Sequence, residues 1–384
     1  MKSRCAARIP TVSARSRGTV LVTVLLMVAV AAIIATDIAY RQRLDIKRTS
    51  AFLAREQAFQ VLLASEELGH AFLMEDLKAD ARNVSANTDP FDNLGDKWYQ
   101  VVPPAPVLGG AGFVSGELED LQGRFNINSL FATDPAVAAS QKQRLAQLFT
   151  NLQVPDPNAP SSSGVSASGL VDRIMDWVDD NDQPTGIDGR EDDAYLNQPK
   201  KPYRTANHII TDVSELLLIE EFTQADIDKI RDFICFLPRD ATLNLNTATE
   251  QVLRAYGFTS PDAFIKDRPA RGREGTDYSD LNQIMSILNP GGTAPQQVPQ
   301  QPQTPSAIPG APVSPSAPGN PLKGFGVTSN YFLLKANALI NGKTVKMNSI
   351  IWRIDAKDFA SPQPGQPKVT PIKTVLRKLV DPLE

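Results

Sequence analysis

Cysteine and histidine are almost missing from this chain: its 384 residues hold two of each, Cys5 and Cys235, His70 and His208. Cys5 lies in a basic N-terminal stretch and Cys235 is alone beyond it, so removal of that stretch leaves no intramolecular disulfide, and no Cys/His zinc spacing exists. Cys235 sits inside the apolar run Phe233-Ile234-Cys235-Phe236-Leu237 and reads as a buried small hydrophobe. A P-loop, a dinucleotide glycine motif and a serine nucleophile elbow are also missing. The two isolated histidines read as structural, so the composition points away from an enzyme. Basic charge is in short supply as well, with 39 Lys and Arg against 43 Asp and Glu and a formal net charge of -4. Loss of a leader with five basic and no acidic residues (Lys2, Arg4, Arg8, Arg15, Arg17) takes that charge to -9. An acidic protein lacks the positive footprint that nucleic-acid binding requires.

What the chain does have is a distinctive beginning. A basic leader ends at Arg17-Gly18, an apolar run extends from Thr19 to Thr36, and a charged amphipathic segment follows without a helix breaker. The run approaches the ~20 residues that span a bilayer, longer than the apolar core of most cleavable signals. An uncleaved signal anchor fits that length, and a signal cleaved near Ala35 to Ala39 is a further alternative; a buried core helix fits poorly because the run has no polar face. The order of parts resembles a prepilin, in which the peptidase cuts after a glycine placed before the apolar run, between Gly18 and Thr19, so that the run survives as an anchor. Charge does not orient it, because Arg41, Arg43, Lys47 and Arg48 follow the span as densely as the leader precedes it.

The chain is too long for one ordinary domain. From Thr19 to about Leu77 it reads as one helix, apolar all round in residues 19–40 and amphipathic afterwards, with Phe52, Phe59, Leu62, Leu63, Glu66 and Leu73 as its packed stripe. Trp98 to Val102 and Gly112 to Asn128 have strand composition. Tyr331 to Ile340 and Lys343 to Ile354 flank Asn341-Gly342, the dipeptide of a two-residue hairpin turn. Between these strand regions the chain is helical: Ser140 to Leu152, Leu170 to Val178, a helix opened by Asp212-Val213-Ser214-Glu215, one capped by Thr223 with Asp226, one after Thr247, and one over Asp277 to Leu288. Residues 289–321 are a Pro/Gln-rich linker too poor in apolar side chains to order themselves. The pattern predicts a sheet-containing unit, residues 41–128 and 322–360, interrupted by a helical insertion, 129–288, with 361–384 as a tail.

Two segments could carry chemistry. Asp172 to Asp193 is crowded with carboxylates, which repel one another unless solvated or bridged by a hard cation; Ca²⁺, with six to eight oxygen ligands, suits them. The run fails the EF-hand pattern, since Pro184 falls on the third ligand position and Thr185 on the turn normally given to glycine, and a solvated acidic loop remains the plain alternative. Mg²⁺ has no phosphate-binding element to accompany it. The helix pair from Asp212 to Leu253 resembles small helix-hairpin-helix modules but carries Glu220, Glu221, Arg239 and Asp240 at its turns, with no glycine pair and no basic face, so packing or protein contact is its better use. Paired carboxylates could in principle serve a hydrolase, but nothing around them suggests a sugar-binding cleft.

Several motifs in a fixed order then carry a family resemblance across nearly the whole chain: Arg17-Gly18-Thr19, Gly123-Arg124-Phe125-Asn126-Ile127-Asn128, Asp176-Trp177-Val178-Asp179 with Glu191-Asp192-Asp193-Ala194-Tyr195, Pro202-Tyr203-Arg204-Thr205-Ala206-Asn207, Asp212-Val213-Ser214-Glu215-Leu216 and Leu243-Asn244-Leu245-Asn246-Thr247-Ala248. Together they resemble the minor pseudopilin K family of type II secretion systems. The resemblance implies an α+β pseudopilin fold, a long N-terminal helix on an antiparallel sheet, with a large all-α domain inserted between strands. It also implies Ca²⁺ in that domain, with Asp179, Asp182, Glu191 and Asp192 as ligand candidates and Asp188 behind them. Prepilin peptidase would cleave at Gly18 and methylate Thr19, leaving a single-pass inner-membrane protein with its bulk in the periplasm. Pilins place Glu at the fifth mature position to neutralise the N-terminal ammonium of the preceding subunit; here that position is Thr23, and the family is likewise described as lacking the Glu. A subunit without that acceptor can sit at the tip, with nothing ahead of it. Implied partners are minor pseudopilins I and J, the major pseudopilin, the peptidase and secreted exoproteins. A signal-anchored periplasmic adaptor outside any pilus is the competing reading.

Overall fold

The computed structural model describes residues 15–99, 101–156, 164–197, 202–289, 322–361 and 369–380. Helix α1 (Arg15–Ser85) is the spine. Its 71 residues contain no proline, and at 1.5 Å per residue it is about 105 Å long. Almost every side chain from Thr19 to Leu53 is exposed; from Ala54 onward the helix lies on a sheet.

The strands are β1 (Val102–Val107), β2 (Gly112–Asp120), β3 (Phe125–Asn126), β4 (Ile234–Cys235), β5 (Leu243–Asn244), β6 (Phe325–Gly326), β7 (Tyr331–Ile340), β8 (Lys343–Arg353) and β9 (Ile372–Val380). Five of them form one antiparallel sheet in the order β1-β2-β7-β8-β9. Strand β1 carries three prolines, which cannot donate to a ladder and are tolerated because β1 is an edge. The β7–β8 hairpin turns through Asn341 and Gly342 at φ 48° and 76°, the positive values that the sequence demanded. Alternate residues of β7 and β8 (Phe332, Leu334, Ala336, Ala338, Ile340; Met347, Ile351) face α1 with Leu118 and Trp98, forming the first core.

The expected α+β architecture is present, but its details differ in four places. The buried stripe of α1 is Ala54, Ala58, Leu62, Glu66, Gly69, Leu73 and Leu77; Phe52 is 63% exposed, because two residues before Ala54 puts it on the opposite face. Trp98 lies in a 3₁₀ turn, Lys97–Tyr99, where its ring is edge-on to Phe332, and the strand begins only at Val102. The segment expected as a tail supplies β9, which covers β8. The insertion starts earlier than residue 129: the chain leaves the sheet after Asp120, and Phe125 and Ile127 belong to the helical core. The linker reading falls almost wholly outside the described residues.

That helical core joins α2 (Pro135–Asn151), α3 (Ala167–Val178), α4 (Asp192–Leu196), α5 (Gln224–Ile230), α6 (Glu250–Ala255), α7 (Pro261–Asp267) and α8 (Leu281–Leu288), while α9 (Ala356–Ala360) packs on α1. The capping box expected at Thr223/Asp226 forms; Asp212 and Glu215, expected to open a helix, form a second box that opens a 3₁₀ turn instead, Val213–Leu218. The helix expected after Thr247 begins at Glu250 with Thr249 as its cap. Cys235 is buried between the two units beside Leu121 and Leu237, and burial pushes its thiol pKa far up, so it stays an inert thiol.

Buried asparagines explain two of the motifs. Asn128 donates to the carbonyls of Ile210 and Leu237 and accepts from Ile210 N–H, while Asn126 bonds Pro238 O and Leu237 N. Asn244 donates to Asp92 O, Asp120 Oδ2 and Ser329 Oγ, and Asn246 to Tyr278 O. A Cβ on Gly123 would lie 2.8 Å from Thr247 Oγ1, so glycine there is what lets the two motif segments approach. Asp120 accepts from Ser329, Asn244 and Thr247, and burial still pushes its carboxyl up to about 6.

One charge stands in the middle of the α1 stripe. Glu66, 1% exposed, receives hydrogen bonds from Ser349 Oγ (2.8 Å), Thr374 Oγ1 (2.6 Å) and Arg377 Nη2 (2.7 Å). Burial favours its neutral form, but the bonds from Arg377, Thr374 and Ser349 outweigh it and hold the carboxyl down to about 2. A depressed carboxyl contributes stability that is full above its unfolded value of 4.5 and is lost as pH falls towards 2. E66Q should therefore cost about 1–3 kcal/mol at pH 7 and flatten the acid side of the stability curve, read by thermal melting across pH. An E66Q melting curve that parallels the parent's from pH 5 to pH 2 would contradict this account.

Candidate functional site

The N-terminal part of α1 is a long exposed apolar surface. Among the described residues α1 is the one helix long and apolar enough to cross a bilayer, with a mean hydropathy of 2.7 in its best window and none of that window buried. The helix runs unbroken through Gly18 and Thr19. Thr23 donates its hydroxyl to Val20 O (2.9 Å) and Thr36 to Ala32 O (2.7 Å), so these polar groups are satisfied within the helix and tolerate an apolar solvent.

The acidic segment folds as a loop between α3 and α4. Ser166 caps α3, and its apolar face (Leu170, Val171, Ile174, Trp177, Val178) enters the helical core, which leaves Asp172, Asp176 and Asp179 towards the loop. Arg173 ties the return limb down, donating Nε to Asp188 O (3.0 Å) and Nη1 to Glu220 O (3.1 Å). Thr185 N donates to Asp176 Oδ1 at 2.9 Å. Behind the loop Trp177, Tyr195 and Tyr203 stack edge-on and tilted, with centroids 5.5 Å and 5.3 Å apart along the series, and fix α4 against α3.

The five sequence candidates do not meet at one point. Asp179 caps the end of α3 and Glu191 precedes α4; each has a buried carboxylate oxygen without a hydrogen-bond partner, Asp179 Oδ1 and Glu191 Oε1. Burial, then Asp176 and Asp179, with Asp182 and Asp192 adding, push Glu191 up to about 7. Burial and Asp176 likewise push Asp179 up. Asp182 is exposed and acts on Glu191 through its charge. Asp188 lies over Gly169 in the first turn of α3, about two turns from Asp176. Asp192 is committed elsewhere: Oδ1 accepts from Thr205 N (2.9 Å) and Thr205 Oγ1 (2.8 Å), Oδ2 from Arg204 (2.6 Å), which holds its carboxyl below the usual range. That bonding accounts for the Arg204-Thr205 motif and turns Asp192 towards Thr205 and Arg204.

The residue missed is Asp176. It is fully buried, its Oδ2 has no partner, and it stands one turn before Asp179 on the same helix face, a spacing that the sequence displayed. Asp176, Asp179 and Glu191 each carry a buried carboxylate oxygen without a partner, the donor chemistry of a hard, oxygen-binding cation such as Ca²⁺, although as folded these oxygens do not all lie within 4.8 Å of one another.

A family model described as type II secretion system protein K matches residues 123–239, the stretch holding this loop. Type II secretion system protein K of Pseudomonas aeruginosa is 35% identical over 263 residues, covering 68% of this chain and 74% of the relative. The chain belongs to the type II secretion system protein K family. A protein K from Pectobacterium carotovorum is 30% identical, covering 67% of this chain and 77% of its own. A solved chain from the GspK-GspI-GspJ complex of enterotoxigenic Escherichia coli superposes with a TM-score of 0.60 at 21% identity, over 87% of this chain and 99% of that one, and so shares the fold. Protein K is a secretion-system component, and the long helix, antiparallel sheet and helical insertion make this member a minor pseudopilin with one N-terminal apolar helix.

Opposite electrostatics at neighbouring positions give opposite expectations in chelator at neutral pH. E191Q removes a charge that has no partner and raises the melting temperature; D192N removes one held by Thr205 and Arg204 and lowers it. Thermal melting of the two variants in EDTA checks this, and equal shifts of the same sign would refute it.

Proposed function

We propose that this chain is the non-enzymatic tip subunit of the periplasmic pseudopilus, anchored in the inner membrane by residues 19–40. The observation that supports it best is the shape of the molecule's apolar surface: a long exposed helix with its own polar groups internally satisfied, continuous with a folded α+β body. Prepilin peptidase removes Met1 to Gly18 and methylates Thr19. The helix then joins minor pseudopilins I and J to initiate assembly over the major pseudopilin, and the complex recruits or pushes exoproteins towards the outer membrane. A membrane adaptor outside any pilus would keep its leader.

Thr23 gives the electrostatic reason for the tip. Without a carboxylate at this position the helix offers no acceptor to the ammonium of a subunit ahead, and a carboxylate left unpaired in a low-dielectric bundle would be costly. Ca²⁺, held by Asp176, Asp179 and Glu191 near Asp182, would supply the positive charge that the loop lacks and tie the end of α3 to the start of α4. Its role is structural.

Intact mass with and without a prepilin peptidase tests the class: peptidase-dependent loss of Met1 to Gly18 with one methyl on Thr19 is expected, and an unchanged mass returns the chain to the adaptor reading. Thr23→Glu should impair assembly and secretion; unimpaired secretion would remove the electrostatic argument. In calorimetry with Ca²⁺, D179A and E191A should each weaken binding by at least about tenfold, the scale of losing one charged ligand. No heat and no calcium-dependent melting shift would refute the metal.

A further inference from the structure

A second group of carboxylates lies far along the chain from the acidic loop, where α1 leaves the sheet. Asp76 and Asp80 stand one turn apart on α1, and Asp92 comes from the segment that follows the helix. One carboxylate oxygen from each lies within 4.8 Å of the other two, and among the described residues no other three such side chains converge this closely. Asp92 is fully buried, Asp80 is 7% exposed and Asp76 is half-buried.

The positive charge facing them is Arg353 of β8, 3% exposed over the Phe332 ring. Its Nη2 donates to both oxygens of Asp92 at 2.7 Å and to Ser329 O at 3.0 Å, and its Nη1 to Asp76 Oδ2 at 2.5 Å. Asp92 Oδ2 also accepts from Ser329 N (2.7 Å), while Asp96 Oδ2 beside the cluster accepts from Asn93 N (2.7 Å) and Trp98 Nε1 (3.2 Å). None of the Arg353 hydrogen bonds reaches Asp80. Asp80 Oδ2 is buried with no hydrogen-bond partner at all. A polar atom in that position is missing a ligand, because burying an unpaired carboxylate is costly and native interiors rarely leave one.

We propose that Asp76, Asp80 and Asp92 form a second divalent-cation site, of calcium's size, that pins the end of the α1 spine to the Asp92 segment and β8. Oxygen-only donors select a hard cation. Ligand oxygens around calcium, at about 2.3–2.6 Å from the ion, stand up to about 5 Å apart, whereas those around magnesium reach only about 4.2 Å. Oxygens within 4.8 Å of one another lie inside the span of the calcium sphere. The charge balance agrees: Arg353 offsets one of the four carboxylates, and the ion offsets two more. Without an ion, burial and the neighbouring carboxylates push Asp80 up to about 8 and Asp76 up to about 7, so a shared proton is the competing way to relieve the same excess. The site goes beyond the function proposed above and uses none of the acidic-loop residues.

The full chain in detergent micelles, carrying D179A and E191A together, is dialysed against radioactive calcium. One equivalent should remain bound and should be lost when D80N is added. Retention of that equivalent in D80N, or a natively folded D179A/E191A protein that binds none, overturns the proposal in favour of protonated carboxyls. Failure of the acidic-loop reading has a different signature, with the wild type and D179A/E191A binding equally. Crystals of the wild type soaked in Mn²⁺ make the test independent of whether D80N folds: an anomalous peak between Asp76, Asp80 and Asp92 is expected, and a cluster without one refutes the site.

Discussion

The guanidinium of Arg353 is the interaction on which the two halves of this molecule depend. It reaches Asp76 on the spine and Asp92 in the segment after it, and through Ser329 it meets the network of Asp120, Asn244 and Thr247 that opens and closes the insertion. An apolar seam at this place would let the helical domain pivot. A buried charge with several directional partners fixes one orientation, since each partner removed leaves another buried charge uncompensated.

Buried carboxylates fall into two groups here, those with hydrogen-bond donors and those with an oxygen left without one. Glu66 has a full set of donors from β8 and β9, and its charge is held well below the usual range. Asp192 accepts from Thr205 and Arg204. Asp80, Asp176, Asp179 and Glu191 are short of donors, and the last two, like Asp80, are pushed upward by burial and like charge. Acids supplied with donors act as fixed struts, whereas those short of them carry an unrelieved cost of burial. The counting of donors, rather than the counting of acids, distinguishes them.

This is also why the sequence was informative in some places and opaque in others. Local rules were legible: Asn341-Gly342 demanded a tight hairpin, Thr223 with Asp226 a capping box, and the run after Gly18 a long apolar helix. Relations set by distant partners were not. Phe52 resembled a core residue until the small residues Ala54 and Ala58 took the sheet-facing side, opposite Ala336 and Ala338. Residues 372–380 alternate poorly because β9 is an edge strand, with Val375, Leu376 and Leu379 left exposed, so its pairing with β8 had no periodic signature. The bonds of Asp192 were illegible because Arg204 and Thr205 lie 12 and 13 positions away. Asp176 was passed over although it shares a face with Asp179, and Asp76 with Asp80 gave no signal until Asp92 closed the third side.

The pairing of β2 with β7 has a consequence for how the chain reaches this shape. Asp120 and Phe332 are neighbours in the sheet, yet the whole helical domain lies between them. Bringing such distant segments together as free coil would be slow, because the entropy of closing the loop must be met before any strand contact compensates for it. A domain with its own core and its own asparagine cross-links can fold first and present its two ends side by side, which converts a long closure into a short one. The insertion then serves as the turn of an oversized hairpin, whose strands β2 and β7 lie side by side beneath α1.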